Sequence, residues 1–213
     1  MTDTASTTDS PSASTEGQAP APEEEVPLPE ARQRLFEILT GTAEPLYAVL
    51  DAARDLAALN WSKDAGEECQ SLYDGESAIR LEMFAPYLVQ FSKGSPLLRK
   101  LVAQAWGRSW GIYLTCAQSF PEVRKHFRHF LMVQIEGDGE GEKTVYFRFY
   151  DPRVLRVYLP TCTPEEVRQF FGPIGSFLLE NEDASRLRRF QAGAKGLEQE
   201  DVSLEKGDAP RSQ

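Results

Sequence analysis

The run Leu46-Tyr47-Ala48-Val49-Leu50, closed by Asp51, decides how the rest of the chain is read. Neighbouring side chains of a strand point to opposite faces, so five consecutive apolar residues load both faces at once. A strand of that kind has to be covered on both sides, and the run is too short for an amphipathic helix. It predicts a buried strand. The segment before it, with Leu35, Ile38 and Leu39 inward, predicts a short helix that stops at Gly41.

Outward from that strand, helical and extended segments alternate. Ala52 to about Ala65 reads as a helix, Cys69–Tyr73 as a short strand before the Asp74-Gly75 turn, Ala78–Phe84 as a brief helix and Tyr87–Phe91 as a strand. Ser95-Pro96 supplies an N-cap and a first helical residue, followed by Leu97, Leu98, Leu101 and Val102 on one face. Ser109–Thr115 reads as a central strand. Ser119 and Glu122 form a capping box for a helix carrying Val123, Phe127, Phe130 and Leu131. Met132–Glu136 and Thr144–Tyr150 read as a hairpin across the glycine-rich loop from Gly137 to Gly141. Asp151-Pro152 then caps a helix over Val154, Leu155 and Tyr158. Thr163 and Glu166 box another with Val167, Phe170 and Phe171, and Ile174–Leu179 reads as a last strand. Alternating strands and helices suggest βαβ units, and the hairpin adds an antiparallel element. The expected fold is therefore α/β: a mixed sheet covered by helices, with a helical C-terminal portion.

Composition sets the ends apart. Of the formal charge of −10, much lies in residues 1–30, which hold seven acidic groups and no Lys or Arg. Residues 31–180 carry 19 acidic against 17 basic groups, so the core of the chain is almost neutral and lacks a nucleic-acid footprint. Residues 1–28, rich in Thr, Ser, Ala, Pro and Glu, bury too little to offset their ordering entropy. The expectation is a disordered acidic tail over 1–28, one α/β domain over 29–191 and a second disordered tail over 192–213. No positively charged start precedes an apolar stretch, and no apolar run is long enough to span a bilayer. Cys69, Cys116 and Cys162 are isolated and odd in number, which points to a reducing compartment and to neither disulfides nor zinc.

His126 and His129 share one helix but have cationic neighbours and no further ligand at a suggestive spacing, so no metal is implied. Gly107-Arg108-Ser109-Trp110-Gly111 spells the hydrolase elbow, which makes a serine hydrolase using Ser109 the alternative function. An elbow needs a strand before the serine and a helix after it, whereas here the predicted order is reversed. Arg124, Lys125 and Arg128 would serve a weak nucleic-acid contact. The glycine-rich loop joins two strands and offers no helix N-terminus to a phosphate, and no cofactor is implied. The charges set among aromatics are harder to set aside: Arg108 between Trp106 and Trp110, and Arg148 between Phe147 and Phe149, followed by Asp151-Pro152-Arg153. Such charges are costly unless paired. Arg108, Trp110, Tyr150, Asp151 and Arg153 form the candidate partner-binding cluster, with no catalytic or metal-binding residue assigned.

An ordered series of blocks carries a resemblance. Leu46 to Ala53, Tyr73-Asp74-Gly75, Ala85 to Val89 and Ser95 to Leu98 are followed by Trp106-Gly107-Arg108-Ser109-Trp110-Gly111-Ile112. Then come Phe147-Arg148-Phe149-Tyr150-Asp151-Pro152-Arg153-Val154-Leu155 and Phe171-Gly172-Pro173. Together they resemble the type VI secretion adaptor family, the effector chaperones called Tap or TEC, over about Leu46 to Leu179. The resemblance implies a bacterial cytoplasmic protein that is not itself catalytic. It would bind a secreted effector protein and help load it onto the spike protein of the machine, with no nucleic acid and no membrane among its partners.

Overall fold

β1 (Leu46–Asp51) is buried along its whole length, and its alternate side chains feed two separate cores. The computed structural model describes residues 27–136 and 142–205. The tail expected over 1–28 lies almost wholly outside them, as does the loop from Gly137 to Gly141. In chain order the helices are α1 (Glu30–Thr40), α2 (Leu56–Asp64), α3 (Gly75–Arg80), α4 (Pro96–Gln104), α5 (Phe120–Arg128), α6 (Pro152–Tyr158) and α7 (Pro164–Phe171). The further strands are β2 (Glu68–Ser71), β3 (Pro86–Gln90), β4 (Gly111–Cys116), β5 (Met132–Glu136), β6 (Glu142–Tyr146), β7 (Ile174–Glu180), β8 (Arg186–Gly193) and β9 (Gly196–Ser203). Together with β1, six of them form one seven-stranded sheet in the order β2-β3-β1-β4-β7-β8-β9, and β5 and β6 pair apart.

Helices cover both faces of the large sheet, as the apolar run requires. Leu46, Ala48 and Leu50 pack with Leu35 and Leu39 of α1 and Leu97, Leu98, Leu101 and Val102 of α4. Tyr47 and Val49 face the other way, toward Phe120, Val123 and Phe127 of α5, Leu155 of α6 and Phe170 and Phe171 of α7. This second core is aromatic: Phe127 stacks on Phe149 with centroids 5.2 Å apart, and Phe170 meets Phe130 edge-on at 5.0 Å. The local signals work as spelled. Leu98 N–H donates to the Ser95 hydroxyl at 3.1 Å, and the boxes at Ser119 and Thr163 are both closed.

The α/β composition holds, but three expectations need correction. Every strand pairing in the large sheet is antiparallel, so the sheet is not mixed. An apolar run reports that both faces are covered and is silent on strand direction, which is why a central antiparallel strand passed for part of a βαβ unit. The second half does not end in helices either. After α7 the chain runs through β7, β8 and β9, so Gly196–Ser203 is a strand inside the stretch expected to be a tail. Charged pairs cross the hairpin, Arg188 with Asp201 at 2.7 Å and Arg189 with Glu200 at 2.9 Å. Leu187, Phe190 and Leu204 supply its few buried apolar contacts. Finally, β6 stops at Tyr146, and the Phe147–Tyr150 stretch is irregular chain leading into α6. Among the described residues no helix is long and apolar enough to cross a membrane.

Candidate functional site

Between α4 and β4 the chain turns sharply on two left-handed residues, Gly107 at φ 86° and Ser109 at φ 56°. The turn aims their amides at one acceptor, the Glu180 carboxylate at the end of β7. Gly107 N–H donates to it at 2.5 Å, Ser109 N–H at 2.9 Å and the Ser109 hydroxyl at 3.1 Å. Converging backbone amides of this kind make a nest for an anion, and here the anion is a side chain only 6% exposed. Arg32 of α1 lies beside it, donating to the Trp106 carbonyl at 2.9 Å. Burial lowers the Arg32 pKa and the charge of Glu180 works against that. At the far end of the turn, a Cβ on Gly111 would fall 2.2 Å from the Val49 carbonyl oxygen, so only glycine lets β4 close against β1 here. Trp110 is buried against Trp61, with centroids 5.4 Å apart.

This geometry bears directly on the hydrolase spelling. A helix precedes Ser109 and a strand follows it. Its hydroxyl is spent on a carboxylate, while the imidazoles of α5 and of the residue that ends it face carbonyls of their own: His126 Nε2 meets Phe170 O at 2.8 Å and His129 Nδ1 meets Lys125 O at 2.7 Å. Burial holds the His126 pKa below its ordinary value. Two cations of α5 are likewise engaged. Arg124 donates to the carbonyls of Ser71 and Tyr73 at 2.8 and 3.1 Å, and Arg128 pairs with Asp74 at 2.8 Å. They clamp the turn after β2 to the helix. Among the described residues no group of three or more His, Cys, Asp and Glu comes together as metal ligands do.

The second block arrives at the same place from the other side. Asp51 is fully buried at the end of β1, where its amide donates to the Trp110 carbonyl at 2.7 Å. Its carboxylate accepts from Ala53 N–H at 3.1 Å and pairs with Arg148. Burial lifts the Asp51 pKa above its ordinary value, and the hydrogen bond and charge of Arg148 offset that only in part. Tyr150 is buried, shares a hydrogen bond with Tyr73 and lies under the Arg148 guanidinium, 5.9 Å from its ring centroid. Asp151 caps α6 by accepting from Arg153 N–H at 3.0 Å, and the Arg153 side chain curls back to donate to both carboxylate oxygens, at 3.0 and 2.6 Å. Burial would raise the Asp151 pKa, but those hydrogen bonds and the charge of Arg153 outweigh it and leave the carboxyl below its ordinary value. In both pairs the acid is inside and the guanidinium reaches out: Arg148 is 42% exposed and Arg153 52%.

The predicted residues thus fall into two groups. Tyr150, Asp151 and Arg153 stand together, while Trp110 is a buried wall of the same region and Arg108 an exposed position on the turn. Arg54, whose guanidinium donates to the Arg108 carbonyl at 3.4 Å and whose charge acts on Asp151, ties the two groups together. Four residues that complete the site were not assigned to it from sequence: Asp51, Arg54, Arg148 and Glu180. Asp51 and Arg148 had a signal, each being a charge embedded in an apolar run. Arg54 and Glu180 had none, since their roles depend on elements distant in sequence. The pocket beside the turn, lined by Leu50, Trp106, Trp110, Tyr113 and Glu180, has a volume of about 10 Å³.

The fold and site therefore define an antiparallel sheet domain, helix-covered on both faces, with a charged cluster at one end of its central strand. The chain belongs to the family described as Domain of unknown function (DUF4123), whose profile matches residues 46–169. That span runs from β1 into α7 and contains both sequence blocks of the cluster. No curated protein and no solved structure gives a match to the chain.

Proposed function

We propose that the chain is a type VI secretion adaptor, a chaperone that binds a cognate effector protein in the bacterial cytoplasm and promotes its loading onto the spike protein. The observation that carries this reading is the meeting of the two most specific blocks of the resemblance. Residues 106–112 and 147–155, separate in sequence, converge on the end of β1, where Asp51 and Asp151 are buried and Arg148 and Arg153 face out. Guanidinium groups fixed by buried carboxylates are pre-organised donors for a partner's surface, and arginine is favoured at interfaces for that reason. The neighbouring pocket of about 10 Å³ has room for one water at most, against a few hundred Å³ for a small-molecule site. A broad face fits better. Apolar side chains are also on offer: Ile79, Met83 and Phe84 are exposed on the connection between β2 and β3, which starts at Tyr73 beside Tyr150.

The test is recovery of the chain from its native host while the secretion machinery is expressed. Mass spectrometry of the co-purified material is expected to find an effector, with the spike protein in smaller amount. Charge reversal at the exposed Arg108 (R108E) is expected to reduce that recovery. If neither protein travels with the wild-type chain, the adaptor reading is overturned.

A further inference from the structure

The seven-stranded sheet ends on two unlike edges. β2, at one end, is four residues long, and Arg124 takes the carbonyls of Ser71 and Tyr73 there at 2.8 and 3.1 Å. β9, at the other end, runs for eight residues, about 27 Å at the usual strand rise, and pairs with β8 from Arg186↔Ser203 to Gly193↔Gly196 without a bulge. One bond fixes which way its peptide groups point: Leu204 N–H donates to the Ser185 carbonyl at 3.0 Å. Antiparallel partners alternate between bonded and non-bonded pairs, so Gly196, Glu198, Glu200 and Val202 use their peptide groups on β8. Leu197, Gln199, Asp201 and Ser203 turn theirs to the open side, where no strand of the described residues pairs with them. Exposed edges are ordinarily blunted by proline, lysine or a bulge. β9 has none of the three.

Its charges decide what can pair there. β9 holds Glu198, Glu200 and Asp201 and no Lys, Arg or His. Two copies joined antiparallel at their middles would set these acids against one another, and like charges directly opposite are destabilising. A strand that carries bases meets attraction instead. Glu198 and Glu200 are alternate residues and share one face of the sheet. Glu198 is exposed, stands opposite Gln191 and has no ion-pair partner among the described residues. Glu200 is held from the inner side by Arg189, yet its side chain stays 47% exposed. On the other face Asp201 is already paired with Arg188.

We propose that the open edge of β9 is a site of strand addition. An extended segment of a partner protein, with Lys or Arg at two alternate positions, pairs along it and sets those bases against Glu198 and Glu200. Main-chain hydrogen bonds supply the affinity, and the alternate bases select the segment. Three strands separate β9 from β1, and β9 lies beyond residues 46–169, so this contact is independent of the adaptor reading.

The test uses the full chain and follows amide hydrogen exchange by NMR. In the free chain the amides of Leu197, Gln199 and Asp201 are expected to exchange freely, while those of Glu198, Glu200 and Val202 are protected by β8. The probe is a peptide of alternating lysine and valine, the length of β9 and blocked at both ends. It is expected to shift the three outward amides saturably and to slow their exchange at least about tenfold. The same peptide methylated on alternate amide nitrogens keeps its charge but cannot donate to the edge, and one with glutamate for lysine keeps its donors but is repelled. Neither is expected to bind. Q199P removes one outward donor, which an edge strand tolerates, and is expected to keep its circular-dichroism spectrum and lose the slowing. Equal binding by the methylated peptide would reduce the contact to charge, and no response at residues 197–203 would remove it; either overturns the proposal. So does protection of the outward amides in the free chain, which would assign the edge to a second copy if it rises with concentration and to the chain's own segments if it does not.

Discussion

Removing the carboxylate of Glu180 puts the largest testable demand on this site. In E180A the amides of Gly107 and Ser109 and the Ser109 hydroxyl lose their common acceptor, and Arg32 loses the charge beside it. A hydrogen bond to an ionised group contributes about 1.5–3 kcal/mol, but three on one acceptor do not simply add. The buried carboxylate also pays its own desolvation, which caps the net gain from the pair. Breaking such an arrangement from one side costs about 3–5 kcal/mol. For a domain of this size each kcal/mol lowers the melting temperature by about 2–4 °C, so E180A is expected to melt roughly 6–20 °C below wild type. E180Q keeps the shape and one acceptor oxygen, and should lose about half as much. Urea unfolding followed by tryptophan fluorescence measures both, since Trp106 and Trp110 flank the turn. A loss under about 1 kcal/mol in E180A, or a worse result for E180Q than for E180A, would refute the idea that this nest holds the turn.

Leu204 is 1% exposed just past β9, so L204A is expected to cost about 2–4 kcal/mol; a change within error would mean that the end of the chain does not dock. Ser109 sits at φ 56° and its hydroxyl donates to Glu180, so S109A is expected to lose about 1–2 kcal/mol while S109G, which relieves the backbone, stays closer to wild type. The wild-type chain is expected to resist serine-directed probes, and labelling that disappears in S109A would favour the hydrolase. The Asp151 carboxyl lies below its ordinary value of 3.8, so its contribution to stability is present above that pH and is lost as the pH falls through the lower folded value. In R153A the side-chain hydrogen bonds and the charge that counter burial are gone, so the carboxyl rises. The acid limb of a circular-dichroism titration is then expected to move to higher pH, and superimposed curves would show that Arg153 does not hold the proton off.

How much was legible follows from what each signal encodes. The helix starts at Ser95, Ser119 and Thr163 were read correctly because capping is local chemistry, complete within four residues. Leu46–Leu50 was read correctly as buried, but burial does not encode direction, and the sheet came out antiparallel. β8 and β9 were missed because their stability lies between strands. Arg188 and Arg189 look like solvated charges until Asp201 and Glu200 are set opposite them. Read in reverse, the acids of Glu200-Asp201 match the bases of Arg188-Arg189 residue for residue, with Gly193 and Gly196 flanking the turn. That complementarity was available in the sequence, and an apolar-pattern search is blind to it.

The site divides along the same line. Asp151 and Arg153 are two residues apart, so their mutual bond could be suspected from spelling alone. Glu180 could not, because its partners lie more than seventy residues upstream. The consequence reaches past bookkeeping. The turn that spells a nucleophile elbow is bent by a carboxylate from β7, and the conformation that exposes a nucleophile in a hydrolase here closes around an anion the chain supplies itself. Gly107, Ser109 and Gly111 are thereby accounted for without any reaction: two for the left-handed turn, one for the approach of β4 to β1. What those residues leave pointing outward is Arg108, and R108E is therefore the substitution that tests the proposed adaptor contact.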